Sequence, residues 1–156
     1  MRFKKFTFFF SLVLILMFPF FLKAQVPPTF ETPTTITEEE VRQFLNEYMA
    51  QYMKRDLNAF MAFFAKEAVE NQMLPYSDIR EIYRKTFDNS DSLLYYLEIY
   101  SVKTSMQSAT VSGRYEVIQI LKGRDMKKIF RGNIQWDLSR EDDSLKIRKI
   151  NYGRDR

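Results

Sequence analysis

Apolar residues in the first half of the chain recur at the spacing of one helical face. Six of them follow the i, i+3, i+4, i+7 pattern: Val41, Phe44, Leu45, Tyr48, Met49 and Tyr52. The pattern predicts a first helix from about Glu38 to Lys54. Thr37 and Glu40 have the spacing of a capping box, in which the Thr37 hydroxyl accepts from one free amide and the Glu40 carboxylate accepts from another.

Two further helices are predicted before residue 91. Asp56 is expected to cap a short second helix, whose inward side chains are Leu57, Phe60, Met61 and Phe64. Ser77, which follows Pro75, is expected to cap a third helix with Ile79, Ile82, Tyr83 and Phe87 on its apolar side.

The apolar period then changes to two, which is the period of a strand with one buried face. After a candidate short strand at residues 68–72, four long strands follow in hairpin order. The inward positions of the first three are Leu93, Tyr95, Leu97, Ile99, Val111, Gly113, Tyr115, Val117, Gln119, Leu121, Phe130, Gly132, Ile134, Trp136 and Leu138. Leu145 and Ile147 continue the pattern on the last strand, and Ile150 breaks it, so we expect a bulge near Arg148.

The predicted order is helices first and an antiparallel sheet afterwards, which is the pattern of an α+β domain over residues 37–153. It resembles the nuclear transport factor 2-like superfamily, which includes the SnoaL-like and ketosteroid isomerase-like proteins. The residues that carry the resemblance are the first helix through Tyr52, the step Lys54-Arg-Asp-Leu57, and the closing pair of strands from Trp136-Asp-Leu-Ser-Arg140 to Leu145-Lys-Ile147.

The resemblance implies a cystatin-like α+β fold, in which a curved antiparallel sheet wraps around the N-terminal helices to form a cone with a pocket at its open end. It also implies a homodimer. Enzymes of the superfamily carry an acidic residue, a tyrosine or a histidine and aspartate pair in the pocket. This chain has no histidine, so histidine and aspartate chemistry is not available to it.

The N-terminus has the layout of a secretory signal peptide. Arg2, Lys4 and Lys5 precede an apolar run, and Ala24 supplies a small residue for cleavage. The run is about 15 residues long, shorter than the roughly 20 residues that span a bilayer. We expect a signal peptide over residues 1–24 and a Pro/Thr-rich linker over residues 25–36. The alternative is an uncleaved membrane anchor, and either way the domain is exported, to the periplasm or the outside of the cell.

Composition narrows the possible functions. Arg2, Lys4, Lys5 and Lys23 account for the net charge of +4, so the remainder of the chain is close to neutral and gives no electrostatic basis for binding nucleic acid. The chain has no cysteine, so packing rather than disulfides must stabilise it. Without histidine or cysteine, and with the Glu141-Asp-Asp143 turn lacking the spacing of a calcium loop, we predict no metal site and no cofactor.

The alternation of side chains between the two faces of each strand indicates the candidate site. None of the inward positions on the long strands is a carboxylate or an amine, whereas Glu98, Glu116 and Asp137 fall on the opposite face. Six polar aromatic or amide side chains could line a small pocket for an apolar ligand: Tyr48, Tyr52, Tyr95, Tyr115, Gln119 and Trp136. The alternative is a filled core in which the same side chains only pack.

These observations favour a non-catalytic exported domain that binds a small apolar ligand or a protein partner. One alternative is a lyase or isomerase in which Tyr52 or Tyr115 donates a hydrogen bond and a carboxylate reaches the pocket because a bulge shifts the strand register. The other is a structural module that dimerises through the outer face of the sheet, where Arg114 and Arg131 lie.

Overall fold

The computed structural model describes residues 35–124 and 126–155. The predicted signal peptide and all but the last two residues of the predicted linker lie outside the described residues. Nine elements follow one another: α1 Glu38–Lys54, α2 Leu57–Met61, β1 Phe64–Glu70, β2 Leu74–Pro75, α3 Tyr76–Asp88, β3 Ser90–Thr104, β4 Ser108–Leu121, β5 Lys127–Glu141 and β6 Ser144–Tyr152.

The first two helices begin where their capping residues predict. Thr37 accepts a hydrogen bond from the Glu40 amide at 3.1 Å, and Asp56 accepts from the Asn58 and Ala59 amides, both at 3.0 Å. The other half of the predicted capping box is wrong. The Glu40 carboxylate pairs instead with the Arg140 guanidinium at 2.8 Å, because the end of β5 passes beside the helix start and offers a charged donor.

The predicted third helix is present, but its predicted cap is wrong. Pro75 occupies the capping position and makes no side-chain hydrogen bond to the helix, while Ser77 lies inside the first turn. Proline has its φ fixed and has no amide to satisfy, so the helix can begin directly after it. The buried face is Ile79, Tyr83 and Phe87, and Ile82 remains partly exposed.

All the strands form one open sheet in the order β2-β1-β6-β5-β4-β3. The four long strands pair antiparallel in hairpin order, as predicted. The sheet is mixed rather than wholly antiparallel, because β1 runs parallel to β6. Phe64 opens β1 opposite Ile147, so its assignment to the inward face of α2 is wrong: pairing with β6 takes precedence over continuation of a five-residue helix.

The predicted bulge lies at Arg148. Asp137 of β5 pairs with Lys149 and Leu138 pairs with Ile147, so Arg148 has no partner in the ladder. The extra residue changes the alternation, and Ile147 and Ile150 are therefore both buried although three positions separate them.

The predicted parity of the long strands is confirmed. Leu93, Tyr95, Val111, Val117 and Trp136 belong to the same buried core as the inner residues of α1 and α3. Ile36, the last residue of the predicted linker, also belongs to this core, and its amide donates to the Ser105 carbonyl at 3.2 Å. Within the described residues, the helices are too short or too polar to cross a bilayer.

Candidate functional site

A cavity of about 130 Å³ lies between α1, α3 and the inner face of the sheet. Tyrosine rings form much of its wall. The lining residues are Tyr48, Tyr52, Ile82, Tyr83, Thr86, Tyr95, Tyr115, Val117, Gln119, Phe130, Ile134, Ile150, Tyr152 and Arg154. The wall is therefore mostly aromatic and aliphatic, with hydroxyls and one amide at separate points.

Five of the six side chains that the sequence placed in a pocket line this cavity: Tyr48, Tyr52, Tyr95, Tyr115 and Gln119. Trp136 does not line it. Its side chain is fully buried behind Tyr48, with the two ring centroids 6.2 Å apart and the rings nearly perpendicular. Trp136 therefore supports the wall from behind, and ligand binding by the other five stays a prediction.

The tyrosine rings pack on one another mainly edge to face. Tyr52 contacts Tyr95 with centroids 5.3 Å apart and Phe87 with centroids 5.4 Å apart, and Tyr48 contacts Tyr95 at 6.0 Å. Such contacts add to the burial energy and hold each ring in one orientation. The wall is thus preorganised by packing rather than by loops.

Burial also sets the protonation of these tyrosines. Removal from water raises the pKa of Tyr48, Tyr52, Tyr83 and Tyr95 above the ordinary value, because the charged phenolate loses its hydration. The hydroxyls therefore stay neutral at physiological pH. A neutral phenol can donate a hydrogen bond to a carbonyl or hydroxyl oxygen of a ligand.

Gln119 is held at one end of the cavity by a short hydrogen-bonded chain. Its amide nitrogen donates to the Ser90 hydroxyl at 2.9 Å, and that hydroxyl donates to the Thr86 carbonyl at 2.5 Å. The Gln119 side chain is thereby fixed at the end of α3, and its amide oxygen is left as an acceptor.

The sequence analysis missed one ionisable residue of the interior, Glu70. This last residue of β1 has 0% relative exposure, and its Oε1 accepts a hydrogen bond from the Tyr152 hydroxyl. Its Oε2 has no hydrogen-bond partner among the described residues. Burial raises the pKa of Glu70, and the hydroxyls of Tyr152 and Tyr83 oppose that rise.

Glu70 lies behind the cavity wall rather than on it. Tyr152 and Tyr83 line the cavity, and Glu70 is not among the lining residues. The interior therefore does contain a carboxylate, contrary to what the inward positions of the long strands suggested. A signal was present in the sequence: Ala68 and Glu70 share one face of the predicted short strand, and both are buried.

The three carboxylates considered for catalysis lie on the outer face of the sheet. Glu98 is exposed, Glu116 pairs with Arg131, and Asp137 accepts from the Thr110 hydroxyl at 3.2 Å. The register of β3 to β5 keeps all three on the outer face, where Glu98 pairs with Arg114, Glu116 with Arg131 and Asp137 with Thr110. The register also shifts within β3, between Ile99 and Ser101, but Glu98 remains exposed.

Comparison with known proteins gives structural neighbours alone, since no protein-family model and no curated protein sequence matches the chain. A ketosteroid isomerase-like protein from Erwinia carotovora atroseptica aligns over 76% of this chain and 98% of its own, with 17% identity and a TM-score of 0.60. A nuclear transport factor 2-like protein of unknown function from Shewanella oneidensis MR-1 aligns over 73% and 96%, with 18% identity and a TM-score of 0.57. Hexachlorocyclohexane dehydrochlorinase (LinA) type 2 aligns over 76% and 84%, with 11% identity and a TM-score of 0.59.

The helices packed on an open sheet and the neighbours together define the class as α+β with a cystatin-like fold. Within that class, the chain has the nuclear transport factor 2-like fold, and the resemblance seen in the sequence is confirmed at the level of the fold. The neighbours include a named enzyme and proteins of unknown function. At these identities the likeness shows the fold and not an activity.

Proposed function

We propose that the protein is an exported, non-catalytic domain that binds a small apolar ligand in the tyrosine-lined cavity. The observation that carries the proposal is the cavity of about 130 Å³ inside an otherwise packed core. Its rings are fixed by edge-to-face contacts, so little freedom remains to be lost when a ligand enters.

The volume limits the size of the ligand. An engineered apolar cavity of roughly 150 Å³ accepts a single benzene molecule, whereas pockets for drug-sized compounds begin at roughly 300 Å³. A space of about 130 Å³ therefore suits one ring or a branched chain of similar size. Neutral tyrosine hydroxyls would orient such a ligand through an oxygen atom.

A pair of adjacent substitutions tests the proposal. Val117 lines the cavity and Ile118, the next residue of β4, lies on the opposite face. We expect phenol, cyclohexanone or benzyl alcohol to shift the amide NMR signals of cavity residues in the wild type. Val117→Phe should abolish the shifts by filling the space, and Ile118→Phe should preserve them. Absence of shifts with all three compounds, or persistence of the shifts in Val117→Phe, would contradict the proposal.

A second candidate function is proton transfer by a lyase or isomerase. It is favoured by the contact between the buried Glu70 carboxyl and the hydroxyl of Tyr152, which lines the cavity. Tyr152 would touch the substrate, and Glu70 would hold or accept the proton behind it.

Isomerisation of 3-cyclohexenone to 2-cyclohexenone tests this candidate, because the substrate has one ring and the conjugated product absorbs in the ultraviolet. An enzyme should show turnover that both Glu70→Gln and Tyr152→Phe reduce, with Glu98→Gln as the matched control on the outer face. If the protein only binds its ligand, 3-cyclohexenone should isomerise no faster than in buffer alone, in a sample in which NMR shows the compound in the cavity.

Export remains part of the proposal and rests on the N-terminal sequence. Cleavage after Ala24 would give a mature protein that begins at Gln25, which intact-mass measurement of the exported protein would identify. The full-length mass in the membrane fraction would instead support an uncleaved anchor.

A homodimer through the outer face of the sheet is likewise proposed. Leu94, Ile118 and Ile129 lie side by side on β3, β4 and β5, and Leu94 and Ile129 are 40% and 42% exposed. A second copy or another protein partner would cover this row. Sedimentation should show a concentration-dependent dimer that Arg131→Glu weakens, and a monomer at all concentrations would contradict the proposal.

A further inference from the structure

The residues that follow β6 are fixed against the edge of the cavity. We call residues 153–155 the tail segment. The Gly153 amide donates to the Asn133 carbonyl at 3.0 Å, and the Asp155 amide donates to the Arg131 carbonyl at 2.8 Å, so the tail segment continues the pairing with β5. The Tyr115 hydroxyl also donates to the Gly153 carbonyl, at 3.2 Å.

A glycine in β5 permits this close approach. A Cβ atom on Gly132 would lie 1.9 Å from the Gly153 carbonyl oxygen, which no side chain can occupy. Gly132 is also the direct cross-strand partner of Tyr115. The missing side chain at position 132 thus lets the tail segment lie across the strand next to a cavity tyrosine.

The fixed backbone of the tail segment places the Arg154 guanidinium at the cavity rim. Arg154 lines the cavity yet is exposed, and its guanidinium carbon lies 4.7 Å from the centroid of the Phe130 ring, another lining residue. Arg154 is near enough to Tyr115 that its charge lowers the pKa of that hydroxyl, against the larger opposing effect of burial.

Arg154 takes part in none of the ion pairs found among residues 35–124 and 126–155. Its neighbour Asp155 pairs with Arg114 on the outer face instead. The guanidinium lies over the Phe130 ring and within reach of the Tyr115 hydroxyl, and without a carboxylate partner among the described residues it can still pair with one at the rim.

We propose that the ligand of the cavity is a small apolar carboxylate, with its ring inside and its carboxylate at the rim on Arg154. The inference rests on the proposed binding function and adds the chemical class of the ligand. A guanidinium matches a carboxylate through two parallel hydrogen bonds, and the tyrosine-lined interior matches a single uncharged ring.

Benzoate and benzamide test the inference, because they share a ring and nearly a shape but differ in charge. NMR titration of the wild type should give a dissociation constant about fivefold lower for benzoate, a modest ratio because Arg154 is exposed. Arg154→Gln should bind both compounds with equal affinity. Arg124→Gln, on the exposed tip between β4 and β5, is the matched control and should keep the benzoate preference.

The possible failures are distinguishable. Equal binding of the two compounds by the wild type, or a preference that survives in Arg154→Gln, would overturn the carboxylate inference and leave the cavity as an apolar binding site. Binding of neither compound would overturn the carboxylate inference, and the neutral panel with Val117→Phe would then decide the binding proposal separately. Added salt should reduce the benzoate preference and leave benzamide unchanged.

Discussion

The two faces of the long strands share one backbone and have opposite roles. On the inner face of β4 and β5, Tyr115, Val117 and Trp136 are buried and build or support the cavity. On the outer face, Arg114 and Arg131 are exposed and pair with Asp155 and Glu116. Substitutions one residue apart should therefore differ widely in their effects.

Glu70 and Glu116 show the difference between the faces for one residue type, because Glu70 lies on the inner side of the sheet and Glu116 on the outer face. Glu116 lies in partial contact with water and has an arginine beside it. Glu70 has neither: it is fully buried, and its carboxylate is next to the hydroxyls of Tyr152 and Tyr83 rather than a guanidinium. Since both residues are glutamates, we expect burial rather than residue type to decide how strongly each carboxylate affects stability.

The largest expected effect comes from removal of the central inner side chain. Trp136→Ala should lower the free energy of unfolding by about 3 to 5 kcal/mol, since it removes a fully buried indole and leaves a void behind Tyr48. Gln135→Ala, one residue away and exposed, should change it by less than about 0.5 kcal/mol. Urea denaturation measures the free energy of unfolding of both variants. Equal effects would contradict the prediction that the inner face is more sensitive to substitution than the outer face.

An intermediate effect is expected from Glu70, and it should depend on pH. An acid whose pKa is raised by folding binds more protons in the folded state, so the free energy of unfolding falls as pH rises from near the ordinary value of 4.5 and levels off above the folded pKa. In Glu70→Gln no carboxyl group titrates at this position, so this decrease in the free energy of unfolding should be absent. The stability of the variant relative to wild type should therefore increase with pH, by about 1.4 kcal/mol for each unit by which folding raises the pKa.

Denaturation of both proteins at several pH values between 4 and 8 measures this difference. Glu98→Gln is the control, since it neutralises an exposed carboxylate and should remain within about 0.5 kcal/mol of wild type throughout. A difference between Glu70→Gln and wild type that does not change with pH would show that Glu70 titrates alike in the folded and unfolded chains.

The sequence predicted features that depend on local spacing. The bounds of α1, the Asp56 cap, the parity of β3 to β5 and the bulge at Arg148 follow from neighbours in the chain. Alternation along β3 and β4 brought three cavity residues together, Tyr95, Tyr115 and Gln119, because side chains on one face of adjoining strands must meet. Helical spacing along α1 added Tyr48 and Tyr52.

Features that depend on distant contacts were not predictable in the same way. Glu40 could not reveal its partner Arg140, which lies 100 residues away. Phe64 has helical spacing but pairs with Ile147. Arg154 follows the last predicted strand, and nothing local shows that Gly132 lets it reach the cavity rim. Glu70 alternates with Ala68, but it ends a short strand with too few apolar positions to show from the sequence which face is buried.

The smallest expected effect belongs to the outer face. Glu116 and Arg131 are cross-strand neighbours and form an ion pair that water can reach. In a double-mutant cycle with Glu116→Ala and Arg131→Ala, the coupling free energy should not exceed about 1 kcal/mol, because solvent screens the attraction and ordering two side chains opposes it. Repeating the cycle at low and high protein concentration tests whether this ion pair lies in a dimer interface. A coupling that grows with concentration would mean that a second copy buries the pair, and the outer face would then resemble the inner face in its sensitivity to substitution.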